Sequence, residues 1–218
     1  MSAAGDGGLR LDRATNRLSH GGRVFDPALR TWSAMREPAD GGEPVTPREA
    51  VTWLQRESGH PCRVPVAVLG TRDPTPQQHT TAVAVGETLA GMGLTVVCGG
   101  LAGVMDAVCQ GVAAAGGTSV GLLPEGDWAT ANPHVTIPIA TGLGVARNAV
   151  ITRAGLAAIA VGGGHGTTSE VAYCRQFGTP IIALADAPVL SGVIQRDSVD
   201  AAAEDVARAV LALPIAPT

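Results

Sequence analysis

The chain has 218 residues, 45% of them hydrophobic, carries a net charge of −4, and contains no lysine, all its basic residues being arginine. Such a length fits one α/β domain of ordinary size with an extension, or two small ones, and suffices for a full core. An acidic balance without a basic run argues against a dedicated nucleic-acid surface.

Residues 1–63 read as an N-terminal extension. Met1 to Arg10 has no apolar core segment, so no secretory signal is expected. Leu9 to Phe25 alternates loosely around Gly21-Gly22, which predicts a small hairpin, and Asp26 to Gly42 is loop-like. Thr46-Pro47-Arg48-Glu49 is a helix start, with Thr46 as N-cap, Pro47 at the first helical position and Glu49 closing a capping box. That helix should run through Trp53 to about Glu57.

The main domain, 64–218, opens on Pro65 to Gly70, an apolar run of the kind found in strands buried on both faces. A helix over Gln77 to Met92 and a strand over Leu94 to Cys98 follow. Gly103 to Ala115 predicts a helix with almost no polar face, and a helix apolar all round is buried on more than one side, which makes it a candidate subunit interface. The stretch Leu89 to Leu123 has only Asp106 as a charge, but repeated glycines and a changing period make it strand, helix and strand rather than a membrane span. Thr118 to Leu123 is a third strand, Pro124 to His134 a long loop, Val135 to Ile139 a fourth strand and Gly144 to Arg153 a helix. Ala157 to Val161 is the central strand, and a helix begins near Thr167. Pro180 to Leu184 is another strand, and Asp197 or Ser198 caps a last helix. Strands alternating with helices predict a three-layer Rossmann-like α/β fold, a mostly parallel sheet with helices on both faces, whose ligands sit at the carboxyl ends of the strands. The cysteines Cys62, Cys98, Cys109 and Cys174 are scattered without a C-x-x-C, as in a reduced cytoplasmic protein.

Three glycine clusters follow strands: Gly70-Thr71-Arg72, Cys98-Gly99-Gly100-Leu101-Ala102-Gly103, and Gly162 to Gly166. If the first strand is central, all three lie along one rim. The last cluster reads strand, glycine turn, helix start, which suits an anion on the free N–H groups of the helix's first turn. It is neither a Walker A sequence nor a dinucleotide fingerprint. Thr167 as N-cap with Glu170 three residues on would also make an ordinary capping box, but one tight turn does not need four glycines. A nucleotide-like ligand is therefore expected across the rim, touching Gly70, Thr71, Arg72, Gly99, Gly100, Gly103, Gly163, Gly164, His165, Gly166, Thr167 and Thr168, with its phosphate on the Gly164 to Thr168 amides. Arg147, near a helix start, opposes the helix dipole and needs a partner; a phosphate, Glu170 or solvent would serve. Glu170 is the one carboxylate of the cluster and suits acid–base work or a sugar hydroxyl. Asp106 would pair with an arginine at an interface. Glu125, Asp127, Asn132 and His134 share a polar loop whose spacing matches no metal site.

These glycine segments, the stretch around Arg147 and Gly162 to Glu170 together resemble the LOG-like superfamily, once mislabelled lysine decarboxylases, over about residues 64–186. They most resemble the branch that includes molybdenum cofactor carrier proteins, through Gly162-Gly163-Gly164 and the Pro138 to Asn148 region. The resemblance implies homodimers or homotetramers, a phosphate-binding glycine motif and no required cofactor, with molybdenum cofactor as a ligand that could be carried. In the LOG phosphoribohydrolases an arginine and the glutamate of P-G-G-x-G-T-x-x-E cleave the N-glycosidic bond of nucleoside 5′-monophosphates, and Arg147 and Glu170 match those two as catalytic residues. This chain departs at Gly162, where the hydrolases have proline, and at Asn148, where they usually have lysine. The expected partner is a phosphorylated small molecule, a nucleoside monophosphate or a molybdopterin-type compound, with no nucleic acid and no membrane. Lysine decarboxylation is disfavoured, since that chemistry uses a Schiff-base lysine and the chain has none.

Overall fold

A computed structural model describes residues 8–35 and 41–215. The first part is a small antiparallel sheet of β1 (Arg10–Asp12), β2 (Arg17–His20), β3 (Arg23–Asp26), β4 (Thr31–Ala34) and β5 (Glu43–Pro44), in the order β4-β3-β2-β1-β5. The expected hairpin around Gly21-Gly22 is β2 and β3, paired Ser19 to Val24 and His20 to Arg23. The expected loop over 26–42 is in part a strand, because Asp26 Oδ1 accepts the amides of Ala28 and Leu29, turns the chain, and lets β4 return along β3. Trp32 of β4 then packs on Phe25 with ring centroids 5.0 Å apart and donates its indole N–H to the Leu211 carbonyl. The remainder of that loop, residues 36–40, lies outside the described residues, as do 1–7 of the segment read for a signal. Helix α1 (Pro47–Arg56) has the capping box read from Thr46 and Glu49.

The second part is a seven-stranded sheet in which every pair is parallel. Its strands are β6 (Pro65–Gly70), β7 (Thr95–Cys98), β8 (Thr118–Leu123), β9 (Ile137–Ala140), β10 (Ala157–Val161), β11 (Ile181–Leu184) and β12 (Ile194–Gln195), in the order β12-β11-β10-β6-β7-β8-β9. The chain leaves β6 in one direction and returns to β10 on its other side, so the switch point lies between them. Alternation along β6 divides the core. Val66 and Val68 join one apolar cluster with α2 (Pro76–Gly91), α3 (Val104–Ala114) and α6 (Val199–Val210), whereas Ala67 and Leu69 join a second with Ile151 of α4 (Arg147–Ala154) and Val171 and Cys174 of α5 (His165–Phe177). The architecture is a three-layer Rossmann-like α/β fold.

Several boundaries differ from the sequence reading. Helix α2 starts earlier, at Pro76, because Thr75 and Gln78 form a capping box. The helix expected from Gly144 is a 3₁₀ turn over Gly144–Ala146 that becomes α4 only at Arg147. The apolar residues of helix α3 are covered by the chain itself: Val104, Met105, Ala107, Val108 and Val112 are buried. Its partner is α2, which approaches so closely that a Cβ at Gly86 would lie 2.2 Å from the Val108 carbonyl oxygen, and one at Gly111 would lie 2.0 Å from that of Val83. Among the described residues no helix is long and apolar enough to cross a membrane.

Candidate functional site

The turn after β10 is set by backbone geometry. Gly162 has φ +54 and is backed by the Gln78 side chain, whose Nε2 donates to the Ala185 carbonyl at 3.1 Å. Helix α5 then begins at His165 with Gly164 as N-cap, and no side chain caps it. The alternative reading of the turn, a capping box of Thr167 and Glu170, does not form. Thr167 is buried inside the first turn, and Glu170 lies a further turn along, facing inward. Only the Thr168 amide is satisfied locally, by the Gly164 carbonyl at 2.9 Å. The amides of Gly164, His165, Gly166 and Thr167 have no acceptor among the described residues, as the start of an uncapped helix requires. A Cβ at Gly164 or Gly166 would meet nothing within 4 Å, so the space before these amides is open.

That space is a cleft of about 280 Å³ at the switch point. It brings together Gly70, Thr71, Arg72, Arg147, Gly164, Gly166, Thr167 and Glu170 from segments read separately in the sequence. It also has walls that the sequence reading did not single out, namely Met105, Pro124 and Val145, and it includes Asn148, read in the sequence only as a departure from the hydrolases' lysine. Pro124 had a usable signal, since it ends β8 on the same rim. The other predicted positions surround the cleft. Gly163 packs against the Thr167 side chain, His165 is exposed, and the Thr168 hydroxyl turns back to the Gly164 carbonyl at 3.0 Å. Gly99, Gly100 and Gly103 lie behind the wall. Gly99 leaves room for Arg147 Nη2, which a Cβ would approach to 2.5 Å; Gly100 packs on Gly121, and Gly103 on the Arg72 carbonyl.

Arg147 is 6% exposed and Glu170 8% exposed, so neither is the solvated surface group that a helix-start arginine could have been. Their charged atoms are 3.6 Å apart, Arg147 Nη1 to Glu170 Oε1. Arg147 Nη1 also donates to Asn148 Oδ1, while its Nε is buried without a partner among the described residues. Burial pushes the Glu170 carboxyl up to about 7, against the opposing pull of Arg147, and burial likewise lowers the Arg147 guanidinium. Near neutral pH Glu170 is therefore only partly ionised, and the positive charge of Arg147 is only partly compensated. Within the chain Asp106 pairs with a histidine, His134 Nδ1 standing 2.8 Å from its Oδ1. Among the described residues no group of three or more His, Cys, Asp or Glu stands close enough to hold a metal ion.

Fold and cleft together define a Rossmann-like α/β protein with a glycine-turn pocket at its switch point. More particularly, the chain belongs to the SLOG cluster4 family, whose model matches residues 63–211. A curated protein of Archaeoglobus fulgidus is 36% identical over 128 residues, 59% of this chain and 84% of its own length. Among solved structures, the molybdenum cofactor binding protein of Rippkaea orientalis superposes with a TM-score of 0.61 at 31% identity, covering 65% of this chain and 93% of that one. The molybdenum cofactor carrier protein of Chlamydomonas reinhardtii gives 0.64 at 29% identity, covering 68% and 99%.

Proposed function

We propose that this chain binds and carries a phosphorylated pterin or nucleotide, molybdenum cofactor among them, with the phosphate on the amides at the start of α5. The observation that carries this reading is a row of amides, Gly164 to Thr167, without acceptors among the described residues, opening on a cleft that also holds a buried and under-compensated guanidinium, Arg147. A helix N-terminus favours an anion, and a buried cation with a bare N–H favours one further. The names of the solved relatives support the pterin class. So does the turn itself, since Gly162 at φ +54 adopts a conformation closed to the proline found in the hydrolases. Binding is tested by thermal stabilisation of the full chain with molybdenum cofactor, AMP and inorganic phosphate, where a shift of the midpoint with ligand is expected. No shift with any of the three would overturn the reading. A homo-oligomer, dimer or tetramer, belongs to the same proposal; exposed Ile137, Ile139, Leu143 and Val145 support it, and sedimentation measures it.

A second reading is a LOG-type phosphoribohydrolase that cleaves the N-glycosidic bond of a nucleoside 5′-monophosphate. It is favoured by Glu170, whose carboxyl titrates at about 7 beside Arg147 and so suits a general acid or base at physiological pH. Glu170 would orient or deprotonate water, and Arg147 would hold the phosphate or stabilise charge developing at the bond. Incubation with AMP, assayed for free adenine, separates the two readings. Release lost in Glu170→Gln supports hydrolysis; stabilisation without release supports carrying.

A further inference from the structure

The phosphate cleft has a neighbour. A hollow of about 440 Å³ shares Arg72 with it, and the two are joined by consecutive residues: Met105 and Pro124 line the first, Asp106 and Glu125 the second. The hollow has apolar walls in Leu101, Ala102 and Pro133. Its polar lining is Arg72, Asp106, Glu125, Thr130 and Asn132, of which the two carboxylates are acceptor-only. Asp106 Oδ1 is held by His134 Nδ1 at 2.8 Å, which fixes the carboxylate, while Oδ2 and the Glu125 carboxylate have no hydrogen-bond partner among the described residues. The loop that supplies Glu125 also exposes Trp128, 67% accessible.

We propose that this hollow receives the ring of the ligand, and that it selects a flat heterocycle bearing an amino group next to a ring N–H, the 2-amino-4-oxopyrimidine edge shared by guanine and pterins. The proposal rests on the reading of the adjoining cleft as a phosphate site. An ionised carboxylate is acceptor-only, so it pairs with two adjacent N–H donors. Adenine presents one donor beside a ring nitrogen that is itself an acceptor, and that nitrogen would face a carboxylate lone pair. The apolar walls take the ring faces, and Arg72, common to both spaces, lies where the chain between phosphate and ring must pass.

The test uses the full chain and compares affinities for GMP, dihydroneopterin monophosphate, AMP and ribose 5-phosphate. At least one of the two ligands with the 2-amino-4-oxo edge is expected to bind about tenfold or more tighter than AMP. Which of the two binds tighter identifies the natural source of the ring. Asp106→Asn should reduce that preference to within about threefold, with ribose 5-phosphate affinity unchanged. Glu125→Gln, on an exposed loop where folding is not at stake, should reduce it as well. Equal binding of GMP, the pterin and AMP overturns the inference and leaves the phosphate site standing. A preference that survives both substitutions also overturns it, whereas failure of all four ligands to bind overturns the phosphate reading beneath it.

Discussion

Two glycine turns follow β7 and β10, the strands on either side of β6, and look alike in sequence, yet they do opposite things. At Gly99 to Gly103 the backbone is closed upon itself. The first amide of α3, on Val104, donates to the Thr71 carbonyl at 2.9 Å, and the Gly100 amide turns to Cys98 Sγ. Side chains are excluded there because packed atoms already fill their places: a Cβ at Gly103 would lie 2.3 Å from the Arg72 carbonyl oxygen. At Gly164 to Gly166 the helix begins with its amides bare and open space before them. Glycine in the first turn serves the scaffold and in the second leaves room, so what distinguishes a binding turn is an unplugged helix start rather than a glycine count.

The contrast is broken most severely at Gly103. Gly103→Ala, at φ +77 against backbone, should lower folding stability by about 3 kcal/mol, read as the denaturant midpoint. Gly166→Val and Gly164→Val should do the reverse. Stability is expected to stay within about 1 kcal/mol of the parent, while affinity for a phosphorylated ligand falls about 100-fold as the side chain fills the anion's place. Normal affinity in these folded variants would refute the placement of the phosphate.

Glu170 sharpens the comparison through pH. Its folded-state value of about 7 lies above the ordinary 4.5, so folding favours the protonated form. That contribution is complete below pH 4.5 and is lost as pH rises through about 7. The loss between pH 5 and 8 should be on the order of 2 kcal/mol, and Glu170→Gln should flatten that slope in melting curves. The smallest effect is expected at Thr168→Ala. Its hydroxyl already bonds the Gly164 carbonyl and its amide is in use, so ligand affinity should change less than about threefold.

Much of this arrangement was legible beforehand. Strands such as Pro65 to Gly70 and Ala157 to Val161 are apolar runs because they are covered on both faces, and that pattern survives in a single sequence. The rim followed from their order. Very short strands carry too little pattern: β12 is two residues long, and β4 is four, three of them exposed. The start of α5 is hidden in the sequence because its glycine cap leaves no side-chain signature, whereas Thr167 offers one. The nearness of Asp106 to His134 depends on the path of a loop between β8 and β9, which no local rule encodes. The all-apolar α3 was correctly expected to be covered, but glycine-to-backbone contact with α2 covers it from within.

The indole of Trp32 reaching the carbonyl of Leu211 ties one extremity of the polypeptide to the other. Arg48 bridges to Asp200 nearby, and Trp53, Val206 and Val210 belong to a single apolar cluster. Cutting away the opening sixty-odd residues would thus strip a greasy flank from α6, and the trimmed remnant should clump or melt early even though every lining group of its pocket is retained.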